Sequence, residues 1–224
     1  MKRKPLIVVI GLIAIALADA SWAGRPDKDW KRWFGHVAGG YSAPTSTSAE
    51  FLEGGYNFNG GATYWPEHWP VGIDLELGYN TFDVKREVLD DIRDATGFDD
   101  TLDGDVDIWS LTVDGMWGPP PGGGINVYFA GGLGVYHEEA TLSTPVAYSG
   151  IVCDPWWYWC VPGVITGEGI IDSESETNFG YNLGVGLTFE LGLGSQIYLE
   201  AKYHRVERDR EPTDYIPIVI GYRW

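Results

Sequence analysis

The sequence predicts an all-β chain, eight antiparallel strands running up and down around a closed barrel. Three observations predict it. Apolar residues recur at every second position in eight separate segments, the period of a strand with one apolar face. The connections between those segments alternate long, short, long, short, long, short, long. The last segment, Tyr215 to Trp224, keeps its alternation to the final residue, with Ile216, Ile218, Ile220, Tyr222 and Trp224 on one side. Pro217, Val219, Gly221 and Arg223 form the other side.

Composition supports this reading. The 224 residues include 31 Gly, 11 Trp and 13 Tyr, a mix that suits curved strands and is poor for helices. The net charge of −17 excludes a nucleic-acid partner, which needs a basic footprint. The first segment reads as an address. Lys2-Arg3-Lys4 is followed by an uncharged run from Leu6 to Ala18 and by small residues ending at Ala23. That run is too short to span a bilayer and fits a cleaved secretory signal over 1–23, leaving 24–224 as the barrel domain.

Each strand is then justified in order. The first, about Trp33 to Tyr41, sets Trp33, Val37, Gly39 and Tyr41 on one face, before a polar loop to Glu50. The second, about Leu52 to Tyr64, opposes Tyr56, Phe58, Ala62 and Tyr64 to Asn57, Asn59 and Thr63. After a tight turn bounded by Pro66 and Pro70, the third alternates Val71, Ile73, Leu75, Leu77 and Tyr79 with Gly72, Asp74, Glu76, Gly78 and Asn80. A long acidic stretch, 84–104, precedes the fourth strand, where Trp109, Leu111, Val113 and Trp117 oppose Ile108, Ser110, Thr112 and Asp114. The Gly118–Gly124 run, with its Pro triplet, is a turn. In the fifth strand Ile125, Val127, Phe129, Leu133 and Val135 oppose Asn126, Tyr128, Ala130, Gly132 and Gly134. The longest excursion spans 137–176. The sixth strand sets Phe179, Tyr181, Leu183, Val185, Leu187 and Phe189 against Asn178, Asn182 and three glycines. The seventh sets Ile197, Leu199, Ala201 and Tyr203 against Tyr198, Glu200, Lys202 and His204.

Alternation alone does not say which face is inside, because a soluble barrel would turn its apolar face inward. Three features favour apolar-outward. The polar faces are rich in the small residues that a narrow eight-stranded interior accommodates. Trp33, Tyr64, Trp65, Trp69, Trp117, Phe189, Tyr222 and Trp224 gather at the short-turn ends, as an interfacial belt requires. The terminal strand ends on an aromatic. Strands facing lipid must close, since hydrocarbon offers no partner to an open edge. The chain is therefore expected to be transmembrane, with short periplasmic turns and long extracellular loops.

These alternating strands and the ending Ile216-Pro-Ile-Val-Ile-Gly-Tyr-Arg-Trp224 resemble the eight-stranded outer-membrane β-barrel superfamily of OmpX, OmpW and the OmpA barrel domain. The resemblance implies outer-membrane location in a Gram-negative envelope, contact with outer-membrane lipid and lipopolysaccharide, and handling by the assembly machinery. It marks Ile220, Tyr222 and Trp224 as the assembly signal. It implies no cofactor. The function expected is a structural or surface-interaction role through the extracellular loops, without enzymatic activity; the alternatives are a narrow OmpW-like passage for small hydrophobic molecules and, less favoured, a lipid-modifying hydrolase.

Candidate chemistry is sparse. Asp74, Glu76, Asp114, Glu200, Lys202, His204 and Arg223 fall on inward faces and predict an interior charge network, since buried charges need partners. Superfamily hydrolases place Ser two positions after an active His on the lipid-facing wall; Val206 stands there after His204, and parity puts His204 inside. No catalytic residue and no metal site is therefore assigned. The stretch Asp99 to Asp107 has the Gly of a calcium loop at Gly104 but Ser110 where the loop needs Glu, so it reads as a solvated acidic segment or a weak cation site. Cys153 and Cys160 in an exported chain are expected to form a disulfide. It would gather Trp156, Trp157, Tyr158 and Trp159 as either a self-packed tip or a contact surface for a ligand the sequence does not identify.

Overall fold

A computed structural model describes residues 33–66, 69–96, 102–118, 124–153, 160–192, 194–208 and 211–224. The proposed leader 1–23 and the aromatic tip Trp156, Trp157, Tyr158 and Trp159 lie outside the described residues. Eight strands close into one barrel, each antiparallel to its sequence neighbours and the last pairing with the first. They are β1 (Trp33–Pro44), β2 (Gly55–Tyr64), β3 (Val71–Asp83), β4 (Asp103–Trp117), β5 (Ile125–Cys153), β6 (Cys160–Gly192), β7 (Ser195–Val206) and β8 (Thr213–Arg223). Two helices, α1 (Ser48–Phe51) and α2 (Arg86–Thr96), sit in the first and second long connections. No described helix is long and apolar enough to cross a membrane.

Alternation resolves into inside and outside as the polar faces require. Along β3 Ile73, Leu75 and Leu77 are exposed on the outer wall while Gly72, Asp74, Glu76 and Gly78 are buried inward. The same holds on β8, where Ile218 and Ile220 face out and Val219, Gly221 and Arg223 face in. Pro217 has no N–H to give, and the β7–β8 ladder lapses between Ala201↔Ile218 and His204↔Tyr215, as a proline within a ladder dictates. Closure rests on the β1–β8 ladder, from Pro44↔Tyr215 to His36↔Arg223, and Trp224 extends it by one pair. Trp224 and Gly35 exchange backbone hydrogen bonds of 3.0 and 3.1 Å, and the Trp224 ring occupies the space where a Cβ on Gly35 would sit, 2.7 Å away.

Four elements depart from the sequence expectation. The excursion 137–176 is not a loop: β5 and β6 continue as a paired ladder from Ile125↔Phe189 up to Cys153↔Cys160. Hydropathy changes near His137, but backbone groups still pair, so the strands run on as a two-stranded ribbon. The acidic stretch 84–104 contains α2, whose Leu89 is buried, and Asp103, Asp105 and Asp107 belong to β4 rather than to a loop. The first strand extends to Pro44 and α1 follows it. β2 starts at Gly55, and Leu52 instead bridges Val84. The first two long connections are tied together there, with Lys85 donating from its backbone N–H to Phe51 and from Nζ to Ala49, each to a carbonyl.

Candidate functional site in the lumen and at the rim

The lumen is layered. At the short-turn end Phe34, Trp65, Met116, Tyr128 and Ala130 form an apolar plug. Trp65 therefore does not belong to the outer aromatic belt: parity on β2 turns it inward, and its indole N–H donates to the Trp69 carbonyl at 2.8 Å. At the long-loop end Phe82, Ile108, Tyr136, Val206 and Tyr215 form a second plug. Charged side chains lie between the two.

Lys202 is the centre of that middle layer. Its ammonium meets Asp114 at 2.9 Å, Glu76 at 3.1 Å and Glu200 at 3.3 Å, all buried. β3, β4 and β7 supply these groups from different parts of the wall, because an inward-pointing position on any strand reaches the axis of so narrow a barrel. Asn182 donates to Asp114 at 2.7 Å and Tyr128 donates to Glu200 at 2.7 Å. These two carboxylates thus have a second partner, as burial in a low-dielectric interior demands.

The sequence placed Arg223 and His204 in the same ion-pair network, and the structure puts them elsewhere. Arg223 lies between the rings of Tyr198 and Tyr128, 5.1 and 5.5 Å from their centroids, and donates to the Met116 sulfur at 3.9 Å. Cation–π attraction, not a carboxylate, holds it among the described residues. Those rings lie flat only because Gly186 and Gly221 carry no side chain; a Cβ there would come within 2.2 and 2.3 Å of Tyr128 and Tyr198. His204 stacks on Tyr215, rings 6° apart at 4.9 Å, and its Nδ1 meets the Tyr136 hydroxyl at 3.0 Å. It is an interior packing residue, away from the lipid-facing wall.

One interior residue escaped sequence reading. His36 is buried on β1, its Nε2 3.1 Å from Asp74 and its Nδ1 3.2 Å from the Tyr198 hydroxyl. Asp74 also accepts from Thr63 at 2.5 Å. Following parity inward from Phe34 would have found His36. The space left over is small: two cavities in the charged layer have about 10 Å³ each, near the least that holds one water. Their lining is mostly carboxylate, amide and ammonium, with no apolar opening of the kind a path for hydrophobic molecules needs.

Above the plug the character changes. β4 pairs with β5 as far as Asp103↔Ser143, and β7 leaves β6 at Gly180↔Val206. From Cys160 to Asn178, β6 therefore has no strand on its outer edge among the described residues. Asp172, Glu174 and Glu176 stand exposed on one face of that edge strand. Arg208 reaches it from the last long connection, 3.3 Å from Glu176 and 3.4 Å from Glu138. Burial pushes the Glu138 carboxyl up, and Arg208 opposes that shift. Cys153 and Cys160 occupy directly opposite positions at the ribbon's last pair.

A family model described as the outer membrane protein beta-barrel domain matches residues 7–221. The chain belongs to that family. Its strands are transmembrane, and its site is the outer membrane. The chain resembles a major outer membrane protein of Thermus thermophilus at 12% identity and a TM-score of 0.50, covering 86% of this chain and 97% of that one. It also resembles Ail of Yersinia pestis at 16% identity and 0.48, covering 87% and 100%. Neisserial surface protein A is similar at 9% identity and 0.47, covering 86% and 96%. At such identities the likeness is one of fold. No curated protein sequence matches the chain.

Proposed function

We propose that the protein is a non-enzymatic surface-interaction barrel that works through its β5–β6 ribbon, with residues 1–23 as its cleaved export signal and outer-leaflet lipopolysaccharide as its surroundings. The ribbon carries this reading. It continues the ladder well beyond the apolar band and, among the described residues, presents an edge that no further strand covers, bearing Asp172 and Glu174 beside Glu176, which Arg208 already holds. An open strand edge receives an extended segment through main-chain hydrogen bonds. Its alternating carboxylates select a partner with basic residues at every second position. The filled, charged lumen supports the same reading: among the described residues, the cavities of the charged layer hold about 10 Å³ each and have a polar lining.

The test pairs conductance with binding. Purified protein in a planar bilayer is expected to show no porin-like steps. An extended peptide alternating Arg and Thr is expected to bind the reconstituted protein in a salt-sensitive way. Replacing Trp156, Trp157 and Trp159 with Ser is expected to leave insertion unchanged and weaken that binding. Stepwise conductance would move function into the lumen, and peptide binding that ignores the state of the ribbon would end the proposal.

A further inference from the structure

We propose that the lumen binds one divalent first-row transition-metal ion on His36 Nε2 and the carboxylates of Asp74 and Glu76. The ligand atoms of these three residues all lie within 4.8 Å of one another, so an ion placed among them reaches each at about 2.0–2.2 Å after small side-chain adjustment. An imidazole nitrogen with two carboxylate oxygens suits a borderline first-row ion rather than calcium or magnesium. The residues are 2%, 4% and 6% exposed. Each has a group behind it: the Tyr198 hydroxyl on His36 Nδ1, Thr63 on Asp74, and Lys202 on Glu76. Outer partners of this kind orient ligands and fix the imidazole tautomer.

Charge balance is an independent argument. The cavity beside these residues is lined by Asp74, Glu76, Asp114 and Glu200 against only Lys202 and Arg223. Four carboxylates against two fixed cations leave two negative charges in a space sealed by apolar plugs at both ends, and buried charge of one sign is costly. A divalent ion closes that difference to zero. On binding, His36 stays neutral and presents the bare Nε2 of its Nδ1–H tautomer to the ion, so the one imidazole proton moves from Nε2 to Nδ1, where it donates to Tyr198, and none is released. The cavity of about 10 Å³ leaves room for one water as a further ligand. Because both plugs shut the layer off, the ion enters during folding.

The experiment refolds the whole chain into detergent with Zn²⁺, Co²⁺ or Cu²⁺ alone, or with chelator, and removes excess metal before analysis. One equivalent of Zn²⁺ per folded barrel is expected, with a visible d–d band for Co²⁺ and single-imidazole nitrogen coupling in the Cu²⁺ electron paramagnetic resonance spectrum. Binding is expected to fall at least tenfold in His36→Gln and in Asp74→Asn. The wild-type spectra keep the proposal testable should either variant fail to fold. Metal-free wild type, spectra without imidazole nitrogen, or undiminished binding in a folded His36→Gln barrel would each overturn it.

Discussion

β5 and β6 are one ladder in two solvents. Along the lower part of β5 the outward residues are Phe129, Leu133 and Val135; a few positions on they are His137, Glu139 and Thr141. Across the ladder, Phe179 and Leu183 give way to Thr177 and Ser175. Backbone pairing carries on through the change and, after one register shift between Leu142 and Ser143, continues to Cys153↔Cys160. The inward faces differ as well: below, side chains converge on Lys202; above, Glu174 and Glu176 stand exposed. Membrane and water thus select the side chains, while hydrogen bonding sets the length of the strand.

The largest expected effect lies in the lower region. Lys202→Met leaves Glu76, Asp114 and Glu200 buried without their shared cation, a loss of about 3–5 kcal/mol by comparison with broken buried pairs. Urea titration of the barrel in lipid vesicles measures it. Folding of this variant is expected to recover as pH falls, because protonation removes the orphaned charges; a Lys202→Met barrel as stable as wild type at neutral pH would show that the network contributes little.

Next in size is a pair of substitutions on the outer face of one strand. Leu133 is 72% exposed on the wall, and Leu133→Arg at mid-bilayer depth is expected to cost about 2–4 kcal/mol. Thr141→Arg, on the same face of β5 but above the apolar band, is expected to stay within about 0.5 kcal/mol. Equal effects at the two sites would erase the boundary between the two solvents. Arg223→Met comes third. It removes the cation held between Tyr128 and Tyr198, worth about 0.5–2 kcal/mol, and is expected to lower the temperature of the heat-induced gel shift less than Lys202→Met does.

Legibility in the sequence followed the same division. Strands whose two faces meet different solvents write a period of two, so the barrel, its parity and the inward position of Asp74, Glu76, Asp114, Glu200 and Lys202 were readable from it. Which inward groups touch was not, because parity carries no information about distance across the lumen. Arg223 was assigned a carboxylate and found two aromatic rings; His204 was assigned to the ions and found Tyr215. The ribbon reads as a loop in the sequence because above the membrane both faces are wet and the period fades. Trp65 was placed by its residue type, when its parity on β2 already pointed inward.

The smallest expected effect tests whether the upper region is separable. β4 runs out of partners at Ser143, and Ser143 faces Ile170 across the ladder. In the ladder, residues 144–169 face only one another, so removing them takes no strand partner from the barrel wall. Joining Ser143 to Ile170 through Asn-Gly supplies a two-residue turn whose twist matches the flanking strands. The shortened chain is expected to insert normally and to unfold within about 0.5 kcal/mol of wild type; it keeps Asp172, Glu174 and Glu176 but not the aromatic tip, so its peptide binding is expected to weaken while staying salt-sensitive. A shortened barrel that fails to insert would mean that the ribbon takes part in folding. The two solvents would then act on a single cooperative unit, and the ribbon could not be treated as a module free to serve binding alone.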